Sequence, residues 1–412
     1  MPKVKEFIFS ITNRCNLKCK MCDIPRIALE ELSTAEAKRV ISDAARLGFS
    51  TFVFSGGEPL LRNDIFELIA FAQGQRLNVC LTSNGSLIDE KTAQQLACAR
   101  IGVVNVSIDG PEHVHDALRG EGVFEQAVRA LGHLRKHGVE TTVATMVCRE
   151  NYRDLAHIVN LARSCKVTTI KFQPFSAIFI QGQQRESSFM LSPQELPEAT
   201  AIVEQVIALC KQYAIATNPE SYLRRIPFYL NGKKLPSQKG CSALWTTCCI
   251  NSKGDIFPCW VFNNAQMRIG SLKETSLGAL WDCRRHRQIR QIIQENGCPG
   301  CLMSCYDEGY GEQRPPFFIL RKTQKIKEAK TYQKIINRFI QNFKGEIAGL
   351  QSSYRFYKSF RGSPNNLFQR LKKKLKRRRA ARNDGTARDT EELHQEINAA
   401  KATLKKEMNT LR

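Results

Sequence analysis

The chain has 412 residues, 42% of them hydrophobic and 25% charged, with 16 cysteines and a formal net charge of +23. That length calls for two or more domains around a buried core, and the composition excludes a collagen, a small disulfide scaffold and a wholly disordered chain. With no run of about 18 apolar residues and no apolar signal core in MPKVKEFIFSITNRC, a cytoplasmic location is expected, where cysteines serve more often as metal ligands or buried thiols than as disulfides.

In chain order, apolar or β-branched runs at 6–12, 51–55, 78–82, 102–108, 139–147 and 167–173 predict strands. Helical patterns at 34–48, 63–75, 88–98, 123–137 and 151–165 lie between them. Six strands alternating with five helices predict a parallel sheet. The nearly continuous apolar runs suggest strands covered on both faces. A curved partial barrel is the simplest closure, with a flat doubly wound sheet as the alternative. In either, ligands gather at the carboxyl ends of the strands.

The unusual segments all fall at such ends. Cys15-Asn-Leu-Lys-Cys19-Lys-Met-Cys22 follows the first strand, Ser55-Gly-Gly-Glu58-Pro59 the second, Thr82-Ser-Asn-Gly85 the third and Ser107-Ile-Asp109-Gly110 the fourth. Three thiolates on one loop can wrap a metal centre. A structural zinc site wants a fourth nearby ligand, whereas three cysteines on a [4Fe–4S] cube leave one iron open to a small molecule.

Residues 176–240 read as a helical connector, clearest at 193–213. Farther on come Cys241, Gly254-Asp-Ile-Phe-Pro-Cys259 and Cys298-Pro-Gly-Cys301-Leu-Met-Ser-Cys305. Cys248, Cys249 and Cys283 lie nearby without motif spacing. Cys80, Cys98, Cys148, Cys165 and Cys210 fall in apolar patterns and are expected to pack as small hydrophobes.

The charge lies elsewhere. Residues 1–310 hold 36 Lys+Arg against 30 Asp+Glu, and residues 311–412 hold 26 against 9 with no cysteine. Residues 332–350 show one apolar helical face, 367–379 form a basic amphipathic run, and 391–411 carry a short heptad-like seam. This tail suits docking on the body, an anionic membrane surface, or nucleic acid or an acidic partner, and 391–411 suits a second copy.

The first cysteine triplet together with Gly56-Gly-Glu-Pro59, over about residues 5–175, resembles the radical S-adenosylmethionine (SAM) family. The resemblance implies that Cys15, Cys19 and Cys22 hold a [4Fe–4S] cluster that binds and reductively cleaves SAM to a 5′-deoxyadenosyl radical. It places Gly56, Gly57, Glu58 and Pro59 at the SAM methionine group, Ser83 and Asn84 nearby, Ser107 and Asp109 at the ribose or carboxylate, and Arg119 on the carboxylate. Met21 stands where the family usually has an aromatic beside the adenine. The second cysteine region resembles the SPASM or twitch extension of these enzymes, with one auxiliary [4Fe–4S] cluster on Cys241, Cys259, Cys298 and Cys301, and Cys305 as rival for the last place. A zinc ribbon is the alternative there.

The expected architecture is a partial (β/α)6 TIM-like barrel over 1–210, a connector over 211–240, a small cysteine-rich auxiliary-cluster domain over 241–310 and a basic helical tail over 311–412. The expected function is hydrogen abstraction from a peptide or protein side chain, with an electron donor such as flavodoxin or ferredoxin. The alternatives are a sugar, lipid-linked or other small-molecule substrate, and a non-catalytic electron-transfer or nucleic-acid-binding protein. No general base stands out, so no catalytic residue is assigned. The tail leaves open a peripheral place at the membrane.

Overall fold

In a computed structural model, the structure describes residues 6–180, 183–232, 245, 247–296 and 301–303. Cys241, Cys298, Cys305 and the expected tail helices lie outside the described residues. So does the second of the chain's two units, Phe317–Arg412.

Six strands run parallel: β1 (Glu6–Thr12), β2 (Thr51–Gly56), β3 (Asn78–Ser83), β4 (Val103–Ser107), β5 (Thr141–Val147) and β6 (Thr169–Pro174). Between them lie α1 (Thr34–Arg46), α2 (Ile65–Gly74), α3 (Glu90–Cys98), α4 (Glu112–Arg119) and α5 (Val123–Lys136), then α6 (Leu155–Ser164). Local chemistry sets several starts. Ser33 and Glu36 close a capping box on α1, and the Asp89 carboxylate accepts the Thr92 N–H on α3 at 2.7 Å. Asp116 accepts the N–H groups of Gly122 (2.7 Å) and Phe124 (2.8 Å) at the start of α5.

The sheet order is β6-β5-β4-β3-β2-β1, without reversal. A doubly wound sheet would reverse at a switch point. A monotonic order of right-handed crossovers instead puts every helix on one face and curls the sheet as a partial barrel. That face is packed hard: Phe7, Phe9, Phe52, Phe54, Leu81 and Val106 are fully buried. Phe7 stacks on Phe52 at 5.0 Å and meets Phe49 edge-on at 5.2 Å. Each such ring contributes roughly 1.5–3 kcal/mol by burial.

The other face, though Ile8, Ser10, Val53 and Thr142 on it are buried, is polar rather than apolar. Polar side chains hold neighbouring register positions across all six strands. Ser10 pairs with Ser55, Thr82 with Asn105, Asn105 with Thr142, and Thr142 with Thr169. Asn105 Nδ2 donates to Thr82 Oγ1 at 3.3 Å. The half-buried Cys80 and the exposed Lys171 share this concave face. The apolar residues between these positions dominate the linear pattern and hid the belt.

After β6 come α7 (Gln183–Ser188), α8 (Leu196–Gln212), α9 (Glu220–Leu223) and α10 (Ile226–Leu230). Then β7 (Thr247–Ile250) returns to pair parallel with β1, Ile8 opposite Cys249. β8 (Asp255–Phe257) and β9 (Gly270–Ser271) add antiparallel to it, followed by α11 (Leu277–Leu280) and α12 (Arg284–Asn296). The cysteine-rich segment thus extends the barrel's own sheet. Among the described residues no helix is long and apolar enough to cross a membrane.

Asn151, fully buried, fastens the end of β5 to the end of β4. Its amide donates to Asp109 O (2.7 Å) and Met146 O (2.6 Å) and accepts from Cys148 N (2.8 Å). Asn151→Ala strands three backbone groups, two of them in buried bonds, and should cost roughly 3 kcal/mol of stability. Urea unfolding reads this, and a change below about 0.5 kcal/mol would contradict it.

Candidate active site at the carboxyl ends of the strands

Cys15, Cys19 and Cys22 lie on the loop between β1 and α1, all half-buried. The loop is pinned at intervals. Cys22 N donates to Cys19 O (3.2 Å), Lys20 N to Leu118 O in α4 (2.9 Å) and Asp23 N to Phe179 O (2.7 Å). Its far end is held by Arg62, which is 6% exposed, pairs with Asp64 at 2.6 Å and Glu31 at 3.4 Å, and donates to Leu32 O at 3.0 Å. Glu31 in turn takes Arg14 Nε at 2.9 Å and Nη2 at 3.2 Å. No motif marks Arg62; its role comes from packing over more than thirty residues of sequence.

Gly56 and Gly57 press against the same loop. Gly57 N donates to Thr12 O and Glu58 N to Arg14 O, both at 2.8 Å. A Cβ on Gly56 would lie 2.2 Å from Thr12 O, and one on Gly57 2.2 Å from Arg14 O. The two glycines therefore admit the cysteine loop to the end of β2, a need that stands whatever ligand they meet.

Glu58 is fully buried. Its carboxylate accepts Ser83 Oγ (3.0 Å), Asn84 N (2.8 Å) and Leu60 N (3.2 Å). Burial pushes its pKa up to about 7 against the pull of these donors. Asn84 then reaches the cysteine loop, with Nδ2 3.0 Å from Asn16 Oδ1 and 3.9 Å from Cys15 Sγ. Pro59, buried, opens the turn after Glu58.

At the end of β4, Ser107 is half-buried and Asp109 fully buried. The Asp109 carboxylate accepts Arg119 Nε (2.6 Å) and Met146 N (2.8 Å). Asp109, Cys19 and Cys22 all raise the pKa of Arg119, and the Arg119 charge lowers those of Cys19 and Cys22. The arginine expected at a ligand carboxylate thus stands between a buried aspartate and two thiols. Met21 is buried in the same loop. Sequence patterning missed α4, which supplies Arg119.

The thiols fit an iron–sulfur cluster. Burial raises all three, Cys22 to about 11. The charge of Cys19 raises both others, so the three are electrostatic neighbours. Yet among the described residues no three Cys, His, Asp or Glu groups come together closely enough to share one metal ion. Three thiols on one loop that feel one another's charge can each take one iron of a cube.

Of the second cysteine group, Cys259 and Cys301 are buried, 5% and 9% exposed. Cys248 and Cys249 are buried inside β7. Cys148 and Cys210 pack as expected, but Cys98 is exposed, and Cys80 and Cys165 are only half-buried.

The model of the radical SAM superfamily matches residues 9–162, and that of the SPASM iron–sulfur cluster-binding domain matches 241–306. An AdoMet-dependent heme synthase of Nitratidesulfovibrio vulgaris is 27% identical over 344 residues, 74% of this chain and 89% of that protein. A PqqA peptide cyclase of Granulibacter bethesdensis is 27% identical over 283 residues, 66% and 72%. The crystal structure of Streptococcus suis SuiB bound to S-adenosylmethionine superposes with a TM-score of 0.57 at 19% identity, covering 70% of this chain and 68% of SuiB. The chain belongs to the radical SAM superfamily, with a SPASM domain following the barrel. It is an enzyme that uses SAM and [4Fe–4S] chemistry, which sets aside the non-catalytic alternative.

Two outcomes follow from the Gly57–Glu58 geometry. Gly57→Ala should displace the cysteine loop and lose iron from the first site; iron content equal to wild type would refute the close approach. Glu58, with its pKa raised from 4.5 to about 7, holds its proton in the folded state where the unfolded chain has released it. Stability should therefore fall as pH rises from about 4.5 to 7, by at most about 3 kcal/mol. Glu58→Gln should flatten that slope in urea titrations of the apoprotein, and an unchanged slope would exclude Glu58 as its source.

Proposed function

We propose that this enzyme abstracts hydrogen from a peptide or protein side chain. In this reading Cys15, Cys19 and Cys22 hold the cluster, whose reductive cleavage of SAM supplies a 5′-deoxyadenosyl radical. Gly56, Gly57, Glu58, Pro59, Ser83, Asn84, Ser107, Asp109 and Arg119 form the SAM-binding edge. The observation that carries it is the convergence of four separate segments at the carboxyl ends of adjacent strands β1 to β4, linked through Glu58, Asn84 and Arg119.

This chain's own residues orient and shield. Arg119 offsets the negative charge of the thiolates and of a bound carboxylate. Asn84 couples Glu58 to the Cys15 segment, so binding at one is felt at the other. Cys241, Cys259, Cys298 and Cys301 or Cys305 hold one auxiliary cluster. A donor such as flavodoxin or ferredoxin supplies the electron.

The belt of Ser10, Ser55, Thr82, Asn105, Thr142 and Thr169 supports a substrate rich in hydrogen-bonding groups, as a peptide is. A relative named as a peptide cyclase agrees with it. The second reading, a small-molecule substrate, is favoured by the heme synthase relative, which this chain matches over more of its length.

Anaerobic reconstitution should yield about eight irons per chain from two four-iron clusters. SAM with reductant should release 5′-deoxyadenosine. The Cys15/Cys19/Cys22→Ala variant should lose that release and about half the iron. Bound zinc with intact SAM would overturn the reading. Tight binding of an iron porphyrin, read by its absorbance, with no product from a deuterated peptide library, would favour the small-molecule substrate.

A further inference from the structure

His115 belongs to no assigned site, yet it is fully buried in α4, one turn before Arg119. Its Nδ1 accepts the Asp109 backbone N–H at 3.0 Å. That contact fixes the ring's state: a nitrogen that accepts carries no proton, so in the neutral ring the proton sits on Nε2. Burial and the Arg119 charge agree, holding the imidazole neutral with its pKa down at about 4. Nε2 is buried without a partner, and the ring lies against Phe124 at 5.9 Å. An orphaned buried donor is costly. A leucine would fill the space without it, so packing alone gives no reason for histidine here.

The useful atom is Nδ1. Asp109 sits where β4 ends and must turn its carboxylate toward Arg119 Nε at 2.6 Å. Its own main-chain N–H is held by His115, and its carbonyl takes Asn151 Nδ2 at 2.7 Å. α4 also accepts the cysteine loop, through Leu118 O to Lys20 N at 2.9 Å. Along one helix, His115 thus sets the β4 end, Arg119 crosses to it, and Leu118 receives the loop.

We propose that His115 is a positioning residue: through its Nδ1 acceptor it fixes the Asp109 main chain, so that Asp109 holds Arg119 toward the SAM site. This rests on the proposed assignment of Asp109 and Arg119 to that site. Atom position, not polarity or volume, is what matters. Asparagine places its Oδ1 near the position of Nδ1. Glutamine reaches toward the Nε2 position, and leucine fills the space with no acceptor.

The test uses anaerobically reconstituted full-length enzyme and SAM itself as the probe. Affinity is read by equilibrium dialysis, the SAM-induced change by electron paramagnetic resonance of the reduced cluster, and iron content in parallel. His115→Leu and His115→Gln should bind SAM roughly tenfold more weakly, with a diminished spectral change and wild-type iron. His115→Asn should stay within about twofold of wild type. If His115→Leu fails to fold, His115→Gln carries the comparison. A packing role predicts the reverse order, leucine best and asparagine worst, and that order, or wild-type affinity in the glutamine variant, overturns the proposal. Wild-type enzyme that binds no SAM would defeat the functional reading itself, which separates the two failures.

Discussion

Everything at this site depends on two backbones lying closer than any side chain permits. The segment after β2 donates its N–H groups to carbonyls of the loop after β1, and a Cβ at Gly56 or Gly57 would fall 2.2 Å from a carbonyl oxygen. This contact locks the start of the cysteine loop. Arg62 locks its end, and Leu118 and Phe179 hold its middle. The loop is long and holds only one short 3-10 turn, Ile24–Arg26, yet it is tethered along its length. That is how the 21-residue connection from β1 to α1 can hold three thiols in place.

The motifs themselves were legible in linear sequence because they are local. The cysteine triplet and Gly56–Pro59 need only their own spacing, and β1 to β6 with α1, α2, α3, α5, α6 and α8 announced themselves by pattern and length. What was not legible depends on distance. Arg62 acts on residues 31 and 32, and Asn151 acts on Asp109. Helix α4 is eight residues of mixed charge. Strand β7 is four residues, Thr247–Ile250, whose partner β1 lies at the other end of the domain. The hydroxyl belt emerges only when six strands are aligned, since each contributes one residue to it.

Charge is arranged as carefully as shape. Arg119 is paired with Asp109 before any ligand arrives and also faces the thiols, so one cation serves several anions. Glu58 makes no ion pair with it and feels its charge only weakly against the cost of burial. It relies on two N–H groups and a hydroxyl, and its pKa is correspondingly high. In the sequence, most of the chain's net charge falls beyond residue 310.

The pairing of β7 with β1 has a consequence for how the protein is made. The first six strands are contiguous in the chain, but β1 waits for Thr247 before its second edge is covered. At about 5–20 residues per second, that interval on the ribosome is roughly 10–50 s. During it the nascent barrel already contains Cys15, Cys19 and Cys22 while Cys259, Cys298, Cys301 and Cys305 are still unsynthesised, and β1 offers a bare edge to any passing strand. Biogenesis is thus ordered by topology: the first cysteine triplet is made long before the second cysteine group is complete, and the closing strands both finish the sheet and end the period of greatest exposure to aggregation.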